Sequence, residues 1–456
     1  MITVPIWVSV VIIICISLQA ERGIFDLISF NRLFGQLRKR SIVSTNFPRQ
    51  TIYILIPVLR EQDIIEEAVI RFCKLAHDKL TFKIVLITTE KETVEAGGQR
   101  KTTEEYVADS IASGKLTDFK DRILIIRDPN THGNMATQLN YAIRKLSDTA
   151  PMNSFYLVYN ADSIITRSTL EKLAELLSRH EGMEFAFQQP CAFVKDMGPD
   201  SNKFTNAMSL YQSWYCLGHE SRLIRNYDAR SERWWRKRNG KLGVVVGHGS
   251  GMTIGINRNN GGYPSDLLTE DLTFGFILST KNVPILSLPA LEIADVPSRF
   301  SVFIKQKSVW FWNFLGYGSC YRKMSERGFS KPKIISLLIQ GIGAGAYWAL
   351  DTFFVLIPLI LSLYLSSYIG ICIAVLSFLT FYTLPQYILF KRLPGALEHQ
   401  GFTEHAKNIR KLSFLTIFPT ISIISLTNSV GPWIATVKGI KYLFTGKLPI
   451  KYKTGD

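Results

Sequence analysis

Phe155-Tyr156-Leu157-Val158-Tyr159-Asn160-Ala161-Asp162-Ser163 is the stretch that decides the fold class. A short run of apolar and aromatic residues that stops at a polar Asn-Ala-Asp turn reads as a buried strand. A helix-like segment, 168–179, comes directly after it. Outward from it, β-branched and apolar runs recur at Ile52–Ile56, Lys83–Ile87 and Ile123–Ile126, with helix-like segments at roughly 61–76 and 134–146. Strands joined through helices need crossover connections, and crossovers make a mostly parallel sheet. The chain is therefore expected to hold an α/β, Rossmann-type domain over residues 50–315, with its site at the C-terminal ends of the strands.

The flanks have a different composition. Residues 4–19 carry no charge, and the first basic cluster, Arg38-Lys39-Arg40, lies downstream of them, the reverse of a secretory signal. This predicts an uncleaved membrane anchor at 1–22 that places residue 40 onward in the cytosol. An interfacial segment is expected at 316–333, and long uncharged runs at 334–350 and 352–390, broken by Asp351, predict membrane helices over 334–390. A polar loop at 391–411 precedes the stretch 412–456, in which Pro419 and Gly431-Pro432 interrupt the apolar run. From 391 onward ten Lys/Arg face three Asp/Glu on both flanks of that run, which favours a hairpin over a single span. The whole chain is 47% hydrophobic, with a formal charge of +16. Its Lys and Arg gather beside apolar stretches, which fits an anionic membrane surface and argues against nucleic acid. Six scattered cysteines include no CxxC or metal-like pair, so reduced thiols and no structural zinc are expected.

Three groups of residues carry chemistry. Thr269-Glu270-Asp271 opens a helix-like apolar run. Acids there can simply cap the helix, and a carboxylate there can also take a proton from a sugar hydroxyl. Asp162 closes the strand 155–159, where it can be a turn former or a ligand for a hard cation, Mg2+ or Mn2+, beside a nucleotide diphosphate. Asn160 could add only a neutral amide oxygen. Gln306 and Trp310 stand before the C-terminal apolar block, where an indole can belong to an interface belt or stack on a sugar ring.

Taken in order, Pro57…Glu61, Asn160-Ala161-Asp162, Phe187-Gln188-Gln189-Pro190, Thr269-Glu270-Asp271 and Gln306…Trp310 resemble the inverting, membrane-bound family-2 glycosyltransferases of the cellulose, chitin and hyaluronan synthase type. The resemblance implies a GT-A fold, a nucleotide-sugar donor with UDP favoured, and sugar transfer to a glycan acceptor. It also implies roles. Asp271 would be the base, with Glu270 beside it; Asp162, with Asn160, would hold metal and diphosphate. Pro57, Glu61 and Asn134, the last within a G-K-x-x-A-L-N-like stretch, would line the nucleotide. Gln188, Gln189, Gln306 and Trp310 would meet the acceptor, joined by His248 in Gly247-His248-Gly249.

Three positions depart from the family pattern. Asn160 replaces the first carboxylate of D-x-D; Val309 stands where Q-x-x-R-W has arginine, leaving Lys305, Lys307 or Arg322 as substitutes; and Thr88-Thr89-Glu90 makes Glu90 the candidate base-recognition acid. The basic run from Arg222 to Lys241 around Trp234-Trp235 is either a solvated loop or a headgroup contact. The expected protein is an integral membrane enzyme with a cytosolic catalytic domain, in the plasma membrane (the inner membrane if bacterial). It would make polysaccharide, glycosylate a lipid-linked acceptor, or persist as an inactive scaffold.

Overall fold

The computed structural model describes residues 5–45, 47–97, 100–220, 241–265 and 270–445. Among the described residues nine strands form two sheets: β1 Gln50–Pro57, β2 Leu80–Thr89, β3 Ile123–Asp128, β4 Phe155–Val158, β5 Ala186–Gln188, β6 Cys191–Ala192, β7 Ser250–Thr253, β8 Ile285–Ser287 and β9 Glu292–Ile293. The larger sheet runs β3-β2-β1-β4-β7-β5-β8, and β6 pairs with β9 in parallel. Only β7 is antiparallel to its neighbours β4 and β5, so the sheet is mixed but mostly parallel, a GT-A-like α/β arrangement.

The core follows from strand composition. Ile52, Ile54 and Ile56 on one face of β1, with Ile84 and Leu86 of β2 and Leu157 of β4, pack under helices Ile65–Cys73 and Arg167–Arg179. Leu55, Val85, Ile87, Tyr156 and Val158 point the other way, onto helices Met135–Ser147 and Asp271–Thr280. Both faces are buried, which is why these strands read as continuous apolar runs rather than alternating ones. Local signals set the helix starts: Thr102 and Glu105 close a capping box, and Asn134 accepts the Thr137 N–H to cap Met135–Ser147.

Among the described residues four helices are long and apolar enough to cross a membrane: Ile6–Leu37, Lys331–Tyr364, Tyr368–His399 and Phe414–Tyr442. The first runs well past the uncharged segment 4–19, and its buried charges, Arg22 and Asp26, have partners within the protein. Arg22 pairs with Asp351 of the helix Lys331–Tyr364 and lies over the Trp214 ring at 4.3 Å. Tyr382 also donates to Asp351, and Asn428 donates to its other oxygen at 2.9 Å. Intramembrane charge is costly unless paired in this way.

Candidate active site

The end of β4 is held rigidly. Ser163 Oγ accepts the Asn160 N–H at 3.1 Å, while Arg71 donates to the carbonyls of Ala161 and Ser163 at 2.9 and 3.1 Å. Asp162 projects from this loop, half-buried. Asp295, just beyond β9, faces it. Burial pushes the Asp295 carboxyl up to about 6 against the pull of Lys195 at 2.9 Å, and the nearby Asp162 and Asp196 charges add to the rise. Asp295 Oδ1 is buried with no hydrogen-bond partner among the described residues. Two hard carboxylates, one with an orphaned oxygen, fit a small divalent cation.

A relay of side chains joins that loop to the next. Ser163 donates to Glu292 Oε1 at 2.5 Å, and Glu292 Oε2 lies 3.0 Å from His248 Nδ1. Glu292 is wholly buried. Gly249, at φ 65°, lets the chain pass: a Cβ there would lie 2.6 Å from Glu292 Oε2. Cys191, His248 and Glu292 bring their donor atoms within 4.8 Å of one another, a group that linear cysteine spacing does not show. Gln188 and Gln189, expected as acceptor contacts, are 2% and 1% exposed and hold this loop. Gln188 donates to the His248 carbonyl and accepts the Val246 N–H; Gln189 accepts from Tyr159 and donates to Thr169.

Asp271 begins helix Asp271–Thr280. Its Oδ1 accepts the Leu272 N–H and its Oδ2 the Gly247 N–H at 2.9 Å, so the carboxylate points at the loop that carries His248. Glu270 is buried beside it, and Thr269 lies outside the described residues. Asn134 Nδ2 donates to the Ser265 carbonyl, and Asn140 makes a two-way bond with the Tyr263 backbone, which fixes the chain at Tyr263–Ser265.

Three of the residues expected on the nucleotide side, Pro57, Glu61 and Glu90, lie at or just beyond the ends of β1 and β2. Buried Glu92 accepts from the Arg60 and Thr103 N–H groups and from Gln62, and so shapes the loop Pro57–Gln62, while the Glu61 N–H binds Thr103 Oγ1. Glu90 pairs with Arg127 at 2.6 Å. Asp128, unread in the sequence, ends β3 with Oδ2 buried and unpartnered among the described residues.

Trp310 packs against the cluster of Cys191, Phe193, Tyr215, Cys216 and Ala294, and Phe193 meets the His248 ring edge-on at 6.2 Å. One turn earlier, Gln306 Oε1 is buried without a described partner. Lys307 does not stand in for the missing arginine. It is fully buried, its ammonium 4.6 Å from the Trp310 ring and 4.7 Å from Tyr215, boxed further by Phe303, Tyr211 and Trp348. Of the run 222–241, only Lys241 lies within the described residues.

Sequence reading missed Ser163, Glu292 and Asp295. The available signal was two carboxylates, Glu292 and Asp295, inside the otherwise apolar stretch 283–296.

Residues 157–390, just over half of the chain, match the family described as Glycosyl transferase family group 2. Among solved structures the chain is similar to the mannosyltransferase PcManGT from Pyrobaculum calidifontis in complex with GDP-Man and Mn2+, at 15% identity and TM-score 0.45, over 91% of this chain and 99% of that one. It is also similar to S. aureus TarS 1-349 in complex with UDP-GlcNAc, at 12% identity and TM-score 0.40, over 79% and 91%. A third is glucosyl-3-phosphoglycerate synthase from Mycobacterium tuberculosis with Mn2+, UDP and glucosyl-3-phosphoglycerate, at 12% identity and TM-score 0.32, over 58% and 78%. No curated protein matches. With more than half of its length inside the family match, and a GT-A-like sheet carrying its acids at the strand ends, the chain belongs to glycosyl transferase family group 2.

Proposed function

We propose that the protein is a membrane-embedded, inverting glycosyltransferase that moves a sugar from a nucleotide donor, UDP-linked by preference, to a growing glycan. The observation that carries this reading is the joining of two acids by one loop: Asp271 accepts the Gly247 N–H, and the next residue, His248, connects through Glu292 and Ser163 to the loop of Asp162. A base at one end and cation ligands at the other are what an in-line displacement at an anomeric carbon requires.

In this reading Asp271 takes the proton of the acceptor hydroxyl as its oxygen attacks the sugar on the face opposite the leaving diphosphate, which inverts the anomeric centre. Asp162 and Asp295 would hold Mg2+ or Mn2+, with Asn160 as a weaker neutral ligand. The cation, when bound, neutralises charge on the leaving diphosphate. Glu292 orients His248 beneath the sugar, while Gln188 and Gln189 keep that loop in place. Pro57, Glu61, Glu90 and Asn134 belong to the nucleotide side, and Trp310 and Gln306 to the acceptor side.

A lipid-linked acceptor is a second reading, favoured by an apolar groove of about 480 Å³ that has Phe353, Trp433 and Lys438 among its lining residues. The purified protein should be offered radiolabelled UDP- and GDP-sugars and the products sized. Long chains support the synthase, and a single-sugar product that partitions into organic solvent supports the lipid acceptor. No transfer from any donor, with metal present, overturns both.

A further inference from the structure

A polar cavity of about 590 Å³ is lined by none of the residues named at the candidate active site. Arg38, Lys39 and Arg40, which come after the first apolar helix, line it together with His77, Ser168 and Lys172. Glu171 is the only carboxylate among the described lining residues, and it is engaged by Arg167 at 3.2 Å. Lys172 is 4% exposed, its ammonium fixed by the Lys39 carbonyl at 2.7 Å and Glu175 at 3.3 Å. Ser168 belongs to the first turn of helix Arg167–Arg179, whose N-cap Thr166 makes no side-chain cap, because its hydroxyl donates to the Gln400 carbonyl. His77 Nδ1 accepts the Lys79 N–H at 3.1 Å, so the neutral ring carries its proton on Nε2 and is a donor.

Cations, an uncapped helix start and a neutral N–H donor around one cavity all select for negative oxygen. We propose that this cavity binds a phosphate-bearing ligand, separately from the nucleotide sugar. Geometry separates the two sources of phosphate. Phe25 is the last strongly exposed apolar residue of the first helix, and Tyr387 holds the same place in Tyr368–His399. Leu37 and His399, both lining the cavity, lie a dozen residues beyond them, or roughly 18 Å of helix. The headgroup layer reaches only about 5–8 Å past the hydrocarbon. A soluble phosphorylated ligand is therefore favoured over a lipid headgroup.

The test measures calorimetric binding of inorganic pyrophosphate to the full chain in nanodiscs of neutral lipid, with chelator present so that the cation-dependent diphosphate site at Asp162 and Asp295 is silent. Binding should persist, and Lys39→Gln should weaken it about tenfold, the loss of one charge-assisted hydrogen bond. The triple change Arg38→Gln, Lys39→Gln, Arg40→Gln should abolish it without moving the thermal midpoint, since all three side chains are exposed. Nanodiscs rich in anionic lipid should leave the binding intact; if they alone suppress it, the phosphate belongs to a lipid headgroup and the proposal of a soluble ligand fails. Equal binding by wild type and the triple variant, or binding that appears only when Mn2+ is supplied, overturns the proposal.

Discussion

Asp271 accepts one N–H from its own helix and one from Gly247, which leaves its carboxylate oriented but only half-buried. An amide in its place keeps the shape and loses the base. Asp271→Asn is expected to cut transfer by roughly 10²–10⁴-fold with an unchanged thermal midpoint, read by radiolabelled donor turnover; near-normal turnover removes Asp271 from the mechanism. The cation ligands permit an opposed pair of tests. Asn160→Asp adds a charged oxygen beside Asp162, so half-maximal activity should need less Mn2+. Asp295→Asn removes one and should need more, while chelation should stop the wild type. Identical metal titrations for both variants would mean that the cation sits elsewhere, with the Cys191, His248 and Glu292 group the next place to look. The acids Asp162 and Asp271 were legible as residues because strand ends and helix starts are local features. Glu292 was not: its partners Ser163 and His248 lie 129 and 44 positions away, and nothing in a linear pattern announces a contact of that range.

The same contrast separates the elements. Strands β1 to β4 could be read because they are apolar on both faces. The two- to four-residue strands β5 to β9 could not, since a strand such as Ser250-Gly251-Met252-Thr253 has no periodicity and exists only through its neighbours. Gly251 belongs there because Phe187 of β5 crosses it: a Cβ would lie 2.3 Å from the ring. The first apolar helix was legible only in part, since Arg22 reads as a stop until Asp351, far along the chain, is seen to neutralise it. Packing between helices gives the element-scale prediction. Gly431 lets Val430–Thr445 close on Phe300–Glu326; a Cβ there would sit 2.6 Å from Lys307 Cβ and 2.9 Å from the Ser308 nitrogen. Gly431→Val should push the two helices apart, cost about 1–3 kcal/mol, and disturb Trp310 on the same helix. A lowered thermal midpoint in detergent together with a raised acceptor KM is the expected result; an unchanged protein would show that the contact yields freely.

At the scale of the molecule, Gln400 ties three regions together. Its Nε2 donates to the Leu37 carbonyl at 3.0 Å, its carbonyl accepts from Thr166, and its Oε1 accepts the Leu291 N–H. The end of the first apolar helix, the catalytic domain and the end of Tyr368–His399 therefore lie on one side of any membrane. Helices Lys331–Tyr364 and Tyr368–His399 have 34 and 32 residues, roughly 50 Å each at 1.5 Å per residue, enough to cross and return about Ser366, a non-glycine residue at φ 51°. The basic cluster Arg38-Lys39-Arg40 resists translocation, so the shared side should be cytosolic, where nucleotide sugars are made available. The last element is expected to enter and return as well. Ile417 and Ile421 of Phe414–Leu426 share a core with Met208 and Tyr211 of the catalytic domain, and beyond the turn Tyr442 meets Trp312 of Phe300–Glu326. Of the six cysteines only Cys372 is exposed, so Cys372→Ser gives a quiet background for labelling. In intact cells an impermeant thiol reagent should modify Tyr364→Cys, at the far turn, and spare Ser44→Cys, Asn408→Cys and Lys441→Cys. Labelling at 441 alone would make the last element a full span; labelling at 44 and 408 with protection at 364 would invert the protein and leave the catalytic domain on the side without its donor.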